Sequence, residues 1–120
     1  MTLVVRRKDR LNPEIHKSAD HALVILVGEL DASSAGLLYQ QFAALTREGV
    51  SQVALDLEGL AFIDSTGLSV IIAEHKRTTS LGGALVIYSP QEQVRKLFEM
   101  TGLIQLLDIL PRKRAARRAG

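Results

Sequence analysis

Leu55-Asp56-Leu57-Glu58-Gly59-Leu60-Ala61-Phe62-Ile63-Asp64-Ser65-Thr66-Gly67-Leu68 is the most informative stretch of the chain. At its start, Val53, Leu55 and Leu57 alternate with Ala54, Asp56 and Glu58, the period of a strand. After Asp64-Ser65-Thr66-Gly67 the period changes. Leu68, Ile71 and Ile72 fall on one helical face, with Glu74, Lys76 and Arg77 on the other. The segment is therefore a strand that feeds a helix through a short polar turn, and Gly82-Gly83 stops that helix.

The same alternation extends in both directions. Towards the C-terminus, Ala84 to Ile87 reads as a strand. Ser89-Pro90 then opens a helix, with Ser as cap and Pro in the first turn, and Val94, Leu97 and Phe98 as its buried stripe. Gly102 ends that helix, Ile104 to Ile109 reads as a last strand, and Pro111 breaks the chain. Towards the N-terminus, Leu38, Phe42 and Leu45 mark a helix that closes at Arg47 and Gly49. Its cap is Asp31, with Ser33 or Ser34 as alternatives. Gly28-Glu29-Leu30-Asp31 ends a strand, Ala22 to Val27, whose unbroken apolar run suits cover on both faces. Leu3 to Arg7 reads as a first strand, and Asn12-Pro13 as a turn in the connection that follows.

The order β-β-α-β-α-β-α-β predicts an α/β fold with a mixed, mostly parallel sheet and right-handed crossovers. Function is then expected beyond the carboxyl ends of the strands. Two loops lie there: Gly28 to Ser34 and Phe62 to Gly67.

Length and charge narrow the class. A chain of 120 residues, 47% hydrophobic, suits one domain. Residues 1–110 read as that domain and 111–120 as a basic tail. With no cysteine, disulfides, cysteine metal sites and thiol nucleophiles are excluded. The net charge of +2 misleads about the fold. Arg6, Arg7, Lys8 and Arg10 at one end and Arg112, Lys113, Arg114, Arg117 and Arg118 at the other hold nine of the fifteen basic residues, against one acid, Asp9. Residues 11–111 keep six basic residues against twelve acidic ones, so the body is acidic. No apolar run approaches the ~18 residues of a membrane span. The opening residues place their charges after their apolar residues, the wrong order for a secretory signal. These features favour a cytoplasmic protein that binds neither membrane nor nucleic acid directly.

Catalytic signatures are missing. There is no G-x-x-x-x-G-K-[ST] and no G-x-G-x-x-G. His16, His21 and His75 show no metal-ligand spacing, and no Ser-His-Asp set is placed, so neither a metal site nor a catalytic residue is expected. A phospho-acceptor Asp of the receiver-domain kind would need an acidic cluster after the first strand and a distant Lys, and neither is clearly placed. Asp64-Ser65-Thr66-Gly67 remains the densest polar cluster. One reading is a plain helix cap. The other is a hydroxyl held exposed at a helix N-terminus, where the helix dipole favours an added phosphate and Asp64 opposes it.

At these residues the sequence resembles the STAS-domain family, specifically its bacterial anti-sigma factor antagonists. The segment Leu55–Leu68 is similar to the family's strand–loop–helix ending in Asp-Ser-[Ser/Thr]-Gly. Gly28-Glu29-Leu30-Asp31 resembles its Gly-x-Leu-Asp turn, and Lys96-Leu97-Phe98-Glu99-Met100-Thr101-Gly102-Leu103 its late helix. The likeness covers about residues 2–110 and implies a small single domain with helices mainly on one face of the sheet. It further implies partner switching without catalysis or cofactor. The unmodified protein binds an anti-sigma factor that is also a serine kinase and so releases a sigma factor. Phosphorylation of Ser65 ends the complex, and a serine phosphatase reverses it. Asp31, Asp64, Ser65, Thr66, Gly67 and Leu68 are the implied partner-binding positions, on a chain expected to be a monomer.

The tail departs from the family, whose antagonists often carry a longer amphipathic C-terminal helix. Here residues 112–120 have no apolar face beyond alanines and are expected to be mobile or at most a short exposed helix. Three other functions compete: a non-switching STAS subunit of a transporter or scaffold, an enzyme, and a polyanion binder acting through the basic ends. The retained Ser65 favours the switch over the first. An enzyme lacks a nucleophile–base set. Solvated termini are the commoner explanation of the third.

Overall fold

The computed structural model describes residues 11–111. The strand expected at Leu3–Arg7 and the basic residues of both ends lie outside them. The elements are β1 (Leu11–Ser18), β2 (His21–Leu30), α1 (Ala35–Arg47), β3 (Gln52–Ile63), α2 (Ser65–Ser80), β4 (Ala84–Tyr88), α3 (Glu92–Met100), α4 (Leu103–Leu106) and β5 (Asp108–Leu110). They build one five-stranded sheet in the order β1-β2-β3-β4-β5. β1 is antiparallel to β2, and the other pairs are parallel. This is the mixed, mostly parallel α/β sheet expected from the sequence.

Each parallel crossover moves one strand further in the same direction, so right-handed connections place α1, α2 and α3 on the same face. Burial agrees. Ala22, Val24 and Leu26 of β2 and Val53, Leu55 and Leu57 of β3 are buried. Their alternating neighbours Leu23, Ile25 and Ala54 are only half-buried, on the opposite face. Ala35, Leu38, Phe42 and Leu45 of α1, Leu68 and Ile71 of α2, and Val94 and Phe98 of α3 complete the core.

Four local readings need correction. Asn12-Pro13 is not a turn but part of β1, with Pro13 opposite Leu26. An edge strand tolerates proline because one row of its N–H groups has no ladder partner to lose. The actual hairpin turn is Ala19-Asp20, with Ala19 at φ 53. Ser89-Pro90 does not open α3, which starts at Glu92 after Gln91. Ser89, at φ 55, instead faces β5: its N–H donates to the Leu110 carbonyl and its hydroxyl to the Pro111 carbonyl.

The expected strand Ile104–Ile109 is split. Residues Leu103–Leu106 form one helical turn after Gly102 at φ 81, and only Asp108–Leu110 join the sheet. Short apolar runs carry no decisive period. The last correction is Glu74, which sits at 1% exposure in the core-facing stripe of α2 and not on its polar face. Gly67, Ile71, Glu74 and Thr78 follow one another at three- and four-residue steps and are all buried.

Candidate functional site

β2 and β3 run side by side to a common carboxyl edge, with Leu30 opposite Ile63. The chain leaves that edge into the two loops anticipated from the sequence, and Asp64 joins them. Its backbone N–H donates to the Leu30 carbonyl at 3.2 Å. One carboxylate oxygen accepts from the Gly67 N–H at 2.9 Å and so caps α2. The other accepts from the Ala32 N–H of the neighbouring loop at 3.2 Å. Both oxygens are thus held by backbone donors, and the carboxylate is fixed beside Ser65.

Asp31 organises its own loop. Its Oδ1 accepts from the Ser33 N–H at 2.9 Å and the Ser33 hydroxyl at 2.7 Å, in an Asx-type turn. Its backbone carbonyl accepts from the Ala35 N–H at 2.8 Å, where α1 begins. Ser34 holds the N-cap position of α1 without a side-chain capping bond. Its hydroxyl instead donates to the Glu29 carbonyl at 2.9 Å. Asp31 is therefore not the side-chain cap of α1.

Ser65 is the first residue of α2 and is exposed, as is Thr66. Its carbonyl accepts from the Ser69 hydroxyl at 3.0 Å. Among the described residues nothing hydrogen-bonds its own hydroxyl. Gly67 and Leu68 do not share this exposure. Leu68 is 5% exposed and packs in the core. A Cβ at Gly67 would lie 2.7 Å from Leu30 Cγ and 2.9 Å from the Leu30 carbonyl oxygen. Both are buried, and they seat the helix that presents Ser65 and Thr66. Phe62 is what sequence reasoning passed over. It is opposite Glu29 in the register and 47% exposed, a large aromatic at the mouth of the site. Its place inside a strand-like run hid this, because the extended end of β3 reaches beyond β4.

Charge at the site is of one sign. Glu29, Asp31 and Asp64 belong to the two loops, and residues 28–34 and 62–67 contain no Lys or Arg. Two of the histidines sit in surface pairs, His16 with Glu14 and His21 with Asp20. Among the described residues no group of His, Asp and Glu could hold a metal ion. None of their helices is long and apolar enough to cross a membrane.

Two substitutions test this geometry. Asp64→Ala removes the cap and the inter-loop bond together and should cost about 1–2 kcal/mol in urea unfolding, with faster amide exchange at Ala32 and Gly67. An unchanged midpoint would show that the carboxylate ties nothing down. Gly67→Ala must push α2 away from the Leu30 backbone and should cost about 1–3 kcal/mol. Wild-type stability in that variant would mean the helix start has room that the geometry denies it.

Comparison with known proteins agrees with this architecture. The family model of the STAS domain matches residues 12–116. The chain is 29% identical over 99 residues to the anti-sigma-B factor antagonist of Bacillus subtilis (strain 168), covering 82% of this chain and 90% of that one. It is 32% identical over 88 residues to the anti-sigma F factor antagonist of Paenibacillus polymyxa, covering 72% and 75%. The crystal structure of an anti-sigma factor antagonist from Mycobacterium paratuberculosis superposes with a TM-score of 0.79 at 22% identity, over 92% of this chain and 94% of that one. Sheet order, the two-loop edge and these likenesses converge: the chain belongs to the STAS domain family, with anti-sigma factor antagonists among its relatives.

Proposed function

We propose that this protein is an anti-sigma factor antagonist of the partner-switching kind, acting in the cytoplasm without catalysis of its own. Its unphosphorylated form binds an anti-sigma factor that is also a serine kinase, and a sigma factor is released. Phosphorylation of Ser65 ends the complex, and a serine phosphatase restores it. The observation that carries this reading is the exposed Ser65 hydroxyl, unengaged within the described chain, beside a carboxylate that cannot turn away.

The physics follows from that geometry. A phosphate adds about −1.5 to −2 charges. At the first position of α2 the helix dipole favours it, so the fold tolerates the modification. Buried against a partner, the same phosphate would lie beside Asp64 and near Asp31 and Glu29. Repulsion and desolvation would then act on the complex and spare the free protein. Asp31, Ser65 and Thr66 form the polar part of the contact, with Phe62 as an apolar anchor of the kind interfaces favour. An acidic rim of this sort suits a partner surface carrying basic residues.

A pull-down with the candidate kinase, with and without ATP, tests the proposal. Complex is expected without ATP, and its loss is expected only when ATP is present and Ser65 intact. A complex that survives ATP while Ser65 is labelled would exclude switching.

A further inference from the structure

We propose that Ser34 is a positioning residue of the partner-binding edge: its buried hydroxyl fixes the backbone of Asp31 and so holds that carboxylate where an anti-sigma factor would meet it. The inference rests on the function proposed above and adds a side chain that the proposed contact does not include. Its starting point is a serine that does not do the usual work of its position. Ser34 stands at the N-cap of α1, where a serine hydroxyl ordinarily accepts from the first turn, yet it makes no capping bond. It is only 5% exposed, and its hydroxyl is turned back into the loop that precedes it.

One small group serves two points of that loop. The Ser34 hydroxyl donates to the Glu29 carbonyl at 2.9 Å and accepts from the Asp31 N–H at 3.0 Å. The Asp31 Oδ1 and carbonyl oxygen lie farther off, at 3.3 and 3.4 Å, and compete for the same single proton. Backbone bonds run the other way. The Ser34 and Ala35 N–H groups both donate to the Asp31 carbonyl, at 3.0 and 2.8 Å. Asp31 is thus held on its amide side by a side chain and on its carbonyl side by the start of α1.

The consequence reaches the neighbouring loop. Asp31 Oδ1 carries Ser33, and the next residue, Ala32, donates to the Asp64 carboxylate beside Ser65. The loop is held from its buried side by Ser34 and from its exposed side by Asp64. A loop ordered before its partner arrives loses less entropy on binding. With alanine at position 34, the Asp31 N–H and the Glu29 carbonyl both lose their partner, and a buried polar group left unpaired is costly. The backbone must shift to pair them again, and it carries the Asp31 carboxylate with it.

A double-mutant cycle on the full chain tests this, read by titration calorimetry with the cognate anti-sigma factor kinase in the absence of ATP. Ser34→Ala and Asp31→Ala should each weaken binding about tenfold, and the double variant also about tenfold, where independent effects would multiply to about a hundredfold. The loss in Ser34→Ala should shrink at ~0.5 M salt, because it passes through a carboxylate. In the free variant, amide exchange should quicken at Asp31 while the core strands keep their protection. Should Ser34→Ala not fold, Ser34→Cys takes its place, close in size but a weak hydrogen-bonding group. Wild-type affinity in the Ser34 variant or in Asp31→Ala would overturn the proposal. So would a tenfold loss that persists in the Asp31→Ala background. Wild-type protein that binds no anti-sigma factor would sink the proposed function and this inference together, whereas wild-type binding with a multiplicative cycle sinks the inference alone.

Discussion

A phosphate on Ser65 is expected to weaken the complex with the anti-sigma factor about a thousandfold, which corresponds to about 4 kcal/mol. Ser65→Asp carries about half the charge and should weaken it roughly ten- to a hundredfold. Ser65→Ala should bind as wild type does and stay bound in the presence of ATP. The fold should not respond to either substitution. Ser65 is exposed, and no hydrogen bond to its hydroxyl within the described chain is lost, so stability should change by less than ~0.5 kcal/mol. Titration calorimetry on the three proteins, with unfolding curves alongside, separates a binding effect from a folding effect. Equal affinities for Ser65→Asp and wild type would mean that charge at this position does not reach the partner. Thr66, exposed at the next position, would then be the first alternative.

The second large effect concerns the core and not the site. Glu74 lies in the buried stripe of α2, with both carboxylate oxygens unbonded and the Arg77 guanidinium 3.3 Å away. Burial pushes its pKa from 4.5 up to about 7, and the attraction of Arg77 offsets only part of that. Below pH 4.5 the residue is neutral in the folded and unfolded chain alike. As pH rises from there to about 7, the unfolded chain gives up the proton and the folded chain holds it, so stability falls. Above 7 the whole penalty is present, about 3 kcal/mol for a shift of this size. Glu74→Gln lacks the titration. It should match wild type near pH 4 and exceed it by about 3 kcal/mol at pH 8, in urea unfolding at the two pH values. A gap that stays constant across that range would show that Glu74 does not titrate as its surroundings require.

Glu74 also marks the boundary between what sequence periodicity specifies and what residue type obscures. The stripe Leu38, Phe42, Leu45 and the alternation Val53, Leu55, Leu57 were legible because each kept one period long enough to select a face. Extending three- and four-residue steps from Ile71 lands on Glu74 and Thr78, but polar residue types argued for solvent there. Asn12-Pro13 has the local composition of a turn, and its edge-strand setting depends on pairing that local sequence does not contain. Gln91 displaced Ser89-Pro90 at the start of α3 for a similar reason. Its amide, with that of Gln93, donates to the Glu58 and Ala61 carbonyls of the β3 extension, contacts 32 and 33 residues apart in sequence.

At the site, the two loops and the exposed Ser65 were anticipated. The double role of Asp64 was only half visible. A cap can be inferred from Asp-Ser-Thr-Gly, but the bond to Ala32 spans 32 residues and depends on the parallel pairing of β2 and β3. The burial of Gly67 and Leu68 likewise follows from how α2 docks on Leu30. Motif membership marks the strand–helix turn as a whole and does not separate the residues that face outward from those that hold them there.

Whether Ser65 is the switch is decided by intact mass with site mapping. Wild-type protein and Ser65→Ala are each incubated with the cognate anti-sigma factor kinase and ATP. One added phosphate is expected on wild type, located at Ser65, and none on Ser65→Ala. Equal phosphate on both proteins would contradict that role.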